Sequence, residues 1–284
     1  MLYLLTCVLC SVSLSVLLRF WALPKRDLAQ VIWTNYIVAA FGVWWFYHDS
    51  FHFALPNFSS GMILLLLGVL LPSVFILLSQ SLQAAGVAKT DTAQRISLVL
   101  PLFMAFTYWQ EPLVLSRLIC AILGVLALIC LLFSGSQNHH STNKKGQWRY
   151  LLTVFFAYGM IDILFKLLSQ HSDFKQSLFI VFILAWSFMS VFLLMNKIHL
   201  KTKYLLYGVV LGSANGANIV LYLLAHRALA KQPSLVFLIM NLGVLLLSVL
   251  IGRLFFGERL NRVNMVGVVL AILAILGLFF FQAA

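Results

Sequence analysis

Apolar segments of about 20 residues follow one another along almost the whole chain, and most of the breaks between them are short. A segment of about 20 apolar residues forms a helix long enough to cross the hydrocarbon core of a bilayer. The sequence therefore predicts an all-α membrane protein with ten transmembrane helices. They lie near residues 2–19, 29–47, 61–82, 88–109, 113–133, 149–168, 177–196, 204–226, 231–255 and 262–281.

The composition excludes a water-soluble protein. Hydrophobic residues make up 63% of the chain and charged residues only 9%, whereas soluble domains carry roughly 25% charged residues. The mean hydropathy is +1.02. We interpret the net charge of +12 as a sign of membrane topology rather than of nucleic-acid binding. The four cysteines lack metal-ligand spacing and are interpreted as packing residues, and no metal site or cofactor is expected.

An offset of 147 residues relates the two halves of the chain. The string YLLT begins at Tyr3 and again at Tyr150, and the same offset maps Gln94 onto Asn241. Residues 134–148, SGSQNHHSTNKKGQW, form a polar linker between these halves.

The linker divides the chain into repeats 1–133 and 149–284. Each repeat holds five predicted helices, an odd number, so the second must enter the membrane in the opposite orientation. Inverted repeats of this kind are typical of transporters, whose substrate site lies near the midplane of the membrane. The sequence therefore predicts a five-plus-five inverted repeat, with Gln94 and Asn241 flanking a central cavity between the halves.

Each repeat ends with an apolar helix, a glutamate, a short turn and another apolar helix. The two segments read ISLVLPLFMAFTYWQEPLVLSRLICAILGVLALI and NLGVLLLSVLIGRLFFGERLNRVNMVGVVLAILAILGL. This arrangement resembles the EamA-like family of the drug/metabolite transporter superfamily. The resemblance covers nearly the whole chain and is strongest over 211–281, where Gly257-Glu258 and Gly267 fall as in the family. In the first repeat, Gln110 and Cys120 stand where glycine is usual. The resemblance implies a ten-helix transporter of small metabolites.

The glutamates of this motif, Glu111 and Glu258, stand at helix–turn–helix corners. A carboxylate in that position can cap the free N–H groups of the next helix. We prefer this structural interpretation to a role in substrate or proton binding.

Asp162, in AYGMIDILFK, is the most deeply placed acidic residue of the predicted spans. Two interpretations remain open, because charge at membrane depth is costly and usually functional. Asp162 forms an ion pair with Lys166 one turn later, or it carries a coupling proton, since burial favours the neutral carboxyl group.

Eight further polar or aromatic residues are candidates for substrate binding. Arg95 can hold an anionic group bidentately, and Asn215, Asn218 and Tyr222 share one helical face. Gly212 and Gly216 flank that face at a spacing that permits close helix approach. The alternative is that these side chains only bond helices to one another. The candidates are Trp33, Asn35, Gln94, Arg95, Asn215, Asn218, Tyr222 and Asn241.

These observations favour a secondary transporter, not an enzyme. It would move small organic metabolites across the cytoplasmic membrane by alternating access, with protons as the candidate coupling ion and the substrate and lipid bilayer as its partners. The alternative is a membrane-embedded enzyme acting on a lipid-linked substrate, which needs a cluster of His, Asp, Glu or Lys at one membrane face. The seven histidines are scattered along the sequence. The sequence contains no GxxxxGK[ST] loop, the phosphate-binding motif that transport driven by ATP would need.

The basic residues predict the orientation in the inner membrane. The even-numbered loops hold five of the 19 lysines and arginines, and the odd-numbered loops hold the others; the five are Arg117, Lys166, Lys175, Arg227 and Lys231. Because basic loops stay in the cytoplasm, both termini are predicted to lie outside the cytoplasm. The family resemblance implies the opposite orientation.

Overall fold

The computed structural model describes residues 2–21, 23–50, 58–85, 87–112, 114–133, 147–170, 173–256 and 261–280. Within these residues the chain forms eleven α-helices and one 3-10 turn, His48–Ser50, and no strand. The helices are α1 (Leu2–Trp21), α2 (Lys25–Tyr47), α3 (Phe58–Ala85), α4 (Val87–Ile96), α5 (Val99–Thr107), α6 (Leu115–Phe133), α7 (Gln147–Gln170), α8 (Phe174–Met195), α9 (Thr202–Ala228), α10 (Pro233–Phe256) and α11 (Arg262–Phe280). The all-α prediction is confirmed.

In the part of the chain that the structure describes, five helices contain a stretch long and apolar enough to cross a membrane: α3, α7, α8, α9 and α10. Shorter apolar stretches lie in α1, α6, α11 and the pair α4–α5. Large apolar side chains are exposed on these helices, for example Leu194 at 78% and Leu254 at 76%. Lipid is the medium that suits such a surface, and the chain is a multi-pass membrane protein. The count of ten crossings and the inverted orientation of the repeats stay predictions.

The fourth predicted segment, 88–109, is not one helix. It forms α4 and α5, separated by a turn at Ser97 and Leu98. Pro101 lies one turn after Ser97 and has no N–H to donate to the Ser97 carbonyl group, which weakens the helix at this point. The hydroxyl of Ser97 instead donates to the carbonyl oxygen of Gln94 at 2.5 Å. The prediction of a continuous fourth helix is therefore wrong.

The described helices belong to two compact units, each drawn from both ends of the sequence. Unit 1 comprises Met1–Ser79 and Ile161–Ala228, and unit 2 comprises Gln80–Met160 and Leu229–Ala284. Each unit thus combines helices of both predicted repeats, while α3 and α7 contribute to both units. The division into repeats stays a prediction, and residues 134–146 of the linker lie outside the described residues.

In unit 1, α9 packs along α2 and α1, and α2 also packs against α8. Glycines bring α9 close to α2. A Cβ added to Gly212 would lie 2.7 Å from the backbone oxygen of Asn35, and one added to Gly208 would lie 2.9 Å from that of Val31. Gly216 similarly faces Ala39. The close helix approach predicted for Gly212 and Gly216 is present, and Gly208 extends it by one turn.

Gly212→Ala should destabilise the protein, whereas Gly42→Ala in the neighbouring helix should not. The new methyl group at 212 meets backbone atoms, which cannot rotate away, so the helices must separate at a cost of about 1–3 kcal/mol. A Cβ at Gly42 meets nothing within 4 Å. Thermal unfolding of the two variants in detergent checks this expectation. Equal melting temperatures would show that the α2–α9 contact yields without cost.

In unit 2, α6 packs along α11, and α10 contacts α5, α6 and α11. Small residues again lie at the contacts. A Cβ on Gly124 would be 2.9 Å from Leu242 Cδ1, and one on Gly267 would be 2.7 Å from Leu131 Cγ. The two units therefore use the same device, a glycine placed where a neighbouring helix comes close.

Candidate substrate and proton site

Asp162 of α7 accepts a hydrogen bond from the hydroxyl of Tyr222 of α9, at 3.0 Å. Both residues lie within membrane-length stretches, and Tyr222 is buried. The ring of Tyr222 meets Phe165 edge-on, with 6.1 Å between the centroids. Packing therefore holds the hydroxyl in place, and the structure brings together two residues that the sequence selected separately.

Lys166 lies one turn after Asp162, and its side chain is 0% exposed. Its ammonium nitrogen is 3.4 Å from the backbone carbonyl oxygen of His226 in α9. The imidazole of His226 is also fully buried and packs against the ring of Tyr222, with 4.7 Å between centroids. We call Asp162, Lys166, Tyr222 and His226 the α7–α9 cluster.

Asn218 continues the polar face of α9 one turn before Tyr222. Its side-chain oxygen accepts hydrogen bonds from Cys7 Sγ and Ser11 Oγ of α1, both at 2.9 Å. Two donors on one oxygen fix the orientation of the amide. Asn215, the next member of this face, is buried. The predicted face of α9 is thus turned inwards within unit 1.

The candidates in α2 point to different neighbours. Trp33 donates from its indole nitrogen to the hydroxyl of Ser190 in α8, at 2.7 Å. Asn35 is fully buried where α2 meets Gly212 of α9. Its amide atoms make no hydrogen bond within the part of the chain that the structure describes. Trp33 and Asn35 therefore belong to two different helix contacts, α2 with α8 and α2 with α9.

The remaining candidates lie in unit 2. Gln94 and Arg95 are partly buried near the end of α4. Asn241, in the middle of α10, donates from its amide nitrogen to the carbonyl oxygen of Phe237 at 3.0 Å. That bond stays within its own helix.

The α7–α9 cluster combines one carboxyl group, one amine, one phenol and one imidazole. Such a set can take up a proton and can attract an anion. Among the described residues, no three His, Cys, Asp or Glu side chains lie close enough together to hold a metal ion.

Three comparisons relate this chain to known proteins. A protein of solved crystal structure superimposes over 99% of this chain and 98% of its own, with a TM-score of 0.72 at 11% identity, which is a likeness of fold alone. An uncharacterized protein of Haemophilus influenzae strain Rd is 38% identical over 262 residues, or 90% of each chain. The family model of the EamA-like transporter family matches residues 149–280. The chain belongs to the EamA-like transporter family. The expected membership of the drug/metabolite transporter superfamily is thereby confirmed.

The first glutamate of the EamA-like motif caps a helix, although not the one expected. Glu111 is 4% exposed, and its carboxylate accepts hydrogen bonds from the N–H and the hydroxyl of Ser234, at 2.9 and 2.6 Å. Ser234 is the second residue of α10, where N–H groups lack partners within the helix. The capping interpretation is correct, but the capped helix is α10 rather than α6, the next one. Glu258 lies outside the described residues.

Gln110 stands where the EamA-like motif usually has glycine, and its backbone explains that preference. Its φ is 48°, in the left-handed region that glycine adopts without steric cost. This turn precedes Glu111, whose N–H binds back to the carbonyl oxygen of Ala105 at 3.0 Å. The positive φ thus belongs to the corner from which the carboxylate reaches α10.

Sequence reasoning undervalued Lys166 and missed His226 in this EamA-like transporter. The sequence suggests that Lys166 is a loop charge or a partner of Asp162, but the structure buries it inside α7. His226 follows Tyr222 by four residues, so its position on the same face of α9 was a usable signal. The neighbouring Arg227 outweighed that signal, because a basic residue at this position indicates the end of a membrane helix.

Proposed function

We propose that this protein is a secondary transporter that moves small organic metabolites across the inner membrane by alternating access, coupled to protons at Asp162. The observation that carries the proposal is the α7–α9 cluster. An ionisable group at membrane depth costs about 2.5–3.5 kcal/mol even on the lenient insertion scale. Such groups usually mark the path of a substrate or an ion.

Within the proposal, Asp162 binds and releases the proton while Tyr222 holds the carboxyl group in position. Asn215, Asn218 and Asn35 offer uncharged hydrogen-bonding groups in unit 1, and Trp33 offers an aromatic surface. Gln94, Arg95 and Asn241 of unit 2 are proposed as further substrate contacts, with the Arg95 guanidinium suited to an anionic group.

A membrane-embedded enzyme is the second candidate, and the cluster itself favours it. The sequence argument against an enzyme was that the seven histidines are scattered, yet His226 comes together with Asp162 and Lys166 in unit 1. Transport is preferred because members of the EamA-like family are transporters.

Uptake into proteoliposomes tests the function. We expect an inwardly directed proton gradient to drive accumulation of at least one solute from a panel of amino acids, organic acids and hydrophobic cations. Collapse of the gradient with an uncoupler should reduce the uptake to equilibration, and empty liposomes are the control. Chemical conversion of a lipid-linked substrate, without any gradient-dependent uptake, would favour the enzyme instead.

Both termini are proposed to lie outside the cytoplasm. The burial of Lys166 supports this orientation, because a lysine inside α7 no longer counts as a loop charge and the bias between the two sides grows. A C-terminal fusion to a fluorescent protein that folds only in the cytoplasm should therefore be dark, while a fusion to a periplasmic phosphatase should be active. A bright fluorescent fusion would contradict the charge count and support the orientation that the family implies.

A further inference from the structure

Helices α2 and α9 begin side by side in unit 1. Gly208 of α9 lies against Val31 of α2, and Gly216 lies against Ala39. These contacts advance in the same direction along both helices, so the helices are parallel. Val31 and Gly208 each lie six residues after the first residue of their helix. The N-termini of α2 and α9 therefore end at the same level, and each carries the partial positive charge of its helix dipole.

A hydrogen bond joins these two helix starts. The backbone N–H of Lys201, which directly precedes α9, donates to the side-chain oxygen of Gln30 in α2 at 2.7 Å. Gln30 is 1% exposed, so it holds this bond within the protein. The segment before α2 and the segment before α9 thus form one surface.

Exposed cations cover that surface. The two segments, 22–31 and 196–207, contain one acidic residue, Asp27. We call their five exposed basic residues the basic surface, and they are Lys25, Arg26, Lys197, Lys201 and Lys203. The charges of these side chains add to those of the two helix dipoles, so the surface attracts anions.

Aromatic and apolar side chains adjoin the basic surface. The ring of Trp21 stacks on that of Tyr207, with 4.4 Å between the centroids and 3° between the planes. Phe20, beside Trp21, is 77% exposed, and Met195, at the end of α8, is 79% exposed. Tryptophan and tyrosine are enriched where a membrane meets water, and exposed apolar side chains suit the acyl chains below. This combination fits a ligand with a charged head and an apolar tail.

We propose that the basic surface binds the phosphate headgroup of an anionic phospholipid such as phosphatidylglycerol. The phosphate lies before the N-termini of α2 and α9, where N–H groups lack partners within the helix, and the basic side chains neutralise its charge. The acyl chains lie against Phe20 and Met195. A soluble phosphate ester would gain nothing from these apolar side chains. Both segments belong to loops predicted to face the cytoplasm, whose leaflet attracts basic segments through its anionic lipids.

Native mass spectrometry of the full chain tests this binding. The protein is titrated in detergent with phosphatidylglycerol or with phosphatidylcholine of the same acyl chains, and the affinity for the first bound lipid is measured. We expect phosphatidylglycerol to bind at least about tenfold more tightly, because each basic residue near an anionic lipid contributes about fivefold. Higher ionic strength should reduce this preference, since salt screens exposed charges.

The variant Lys25→Gln/Arg26→Gln/Lys201→Gln/Lys203→Gln should lose the preference for phosphatidylglycerol. All four side chains are exposed, and the N–H of residue 201 that binds Gln30 belongs to the backbone, so the variant should fold like the wild type. Thermal unfolding gives a second measurement. Phosphatidylglycerol should raise the melting temperature of the wild type, because a ligand of the folded state stabilises it, and should not raise that of the variant.

The matched control removes four exposed cations from unit 2 instead. It is Arg149→Gln/Lys231→Gln/Arg253→Gln/Arg262→Gln. This control has the same net charge as the first variant and should keep the preference of the wild type for phosphatidylglycerol, together with the rise in melting temperature.

Each contrary outcome overturns the proposal. Equal affinity of the wild type for the two lipids would show that the surface does not recognise the anionic headgroup. Equal losses in the two variants would show that total charge attracts the lipid. Displacement of phosphatidylglycerol by an equal concentration of glycerol 3-phosphate would show that the surface binds a soluble phosphate ester. None of these measurements depends on transport of a solute, so the proposed function is tested separately.

Discussion

Asp162→Asn should abolish accumulation of substrate against its gradient while preserving exchange of labelled for unlabelled substrate. Asparagine has nearly the same shape, and its side-chain oxygen can still accept the hydrogen bond that Tyr222 donates at 3.0 Å. It cannot bind the coupling proton. Proton-driven uptake and counterflow exchange, measured in the same proteoliposome preparation, separate the two effects.

The matched control is Asp173→Asn. Asp173 is exposed at the start of α8, so this change removes the same charge outside the α7–α9 cluster and should leave accumulation intact. Unchanged proton-driven accumulation by Asp162→Asn would show that another group carries the proton.

Glu111→Ala should destabilise the protein by about 2–3 kcal/mol, because hydrogen bonds to a charged group are worth about 1.5–3 kcal/mol. The substitution removes two such bonds to Ser234 in the first turn of α10, at a buried site. A carboxylate also suits the positive end of a helix dipole. Thermal unfolding in detergent should show the loss, and transport should fall only as far as folded protein is lost.

Two companion variants make the Glu111 prediction specific. Glu111→Gln keeps a hydrogen-bond acceptor without the charge. Its melting temperature should therefore lie between those of the wild type and Glu111→Ala. Gln110→Gly relieves a left-handed residue, with φ of 48°, and should raise the melting temperature. If Glu111→Ala unfolds like the wild type, the cap contributes nothing measurable. If it is stable but inactive, the glutamate acts in transport instead.

The positions of the helices could be predicted because apolar length alone determines them. The break in the fourth span could not, since Pro72 and Pro101 give the same signal in the sequence. Helix α3 continues through Pro72, whereas Pro101 follows a turn. The difference lies in local bonds such as the one that the Ser97 hydroxyl donates to the Gln94 carbonyl oxygen. The spacing of residues in the sequence does not predict such a bond.

The candidate site was predicted in part, residue by residue rather than as an arrangement. Asp162 and Tyr222 could be selected because polar groups are rare in apolar segments. Their hydrogen bond could not be predicted, because a contact between two separate helices produces no periodic pattern in the sequence. Lys166 lies near the expected end of its helix at residue 168, and a helix end is where basic residues normally reach water. The structure extends α7 to Gln170 and encloses the lysine, so an uncertainty of half a turn changed its role.

The glycine contact between α2 and α9 also limits how unit 1 can move. Where the backbones of α2 and α9 touch, no side chain lies between them that could repack. Sliding or separating these helices would therefore open a gap along their length. We therefore expect any rearrangement of unit 1 to keep α2 and α9 together.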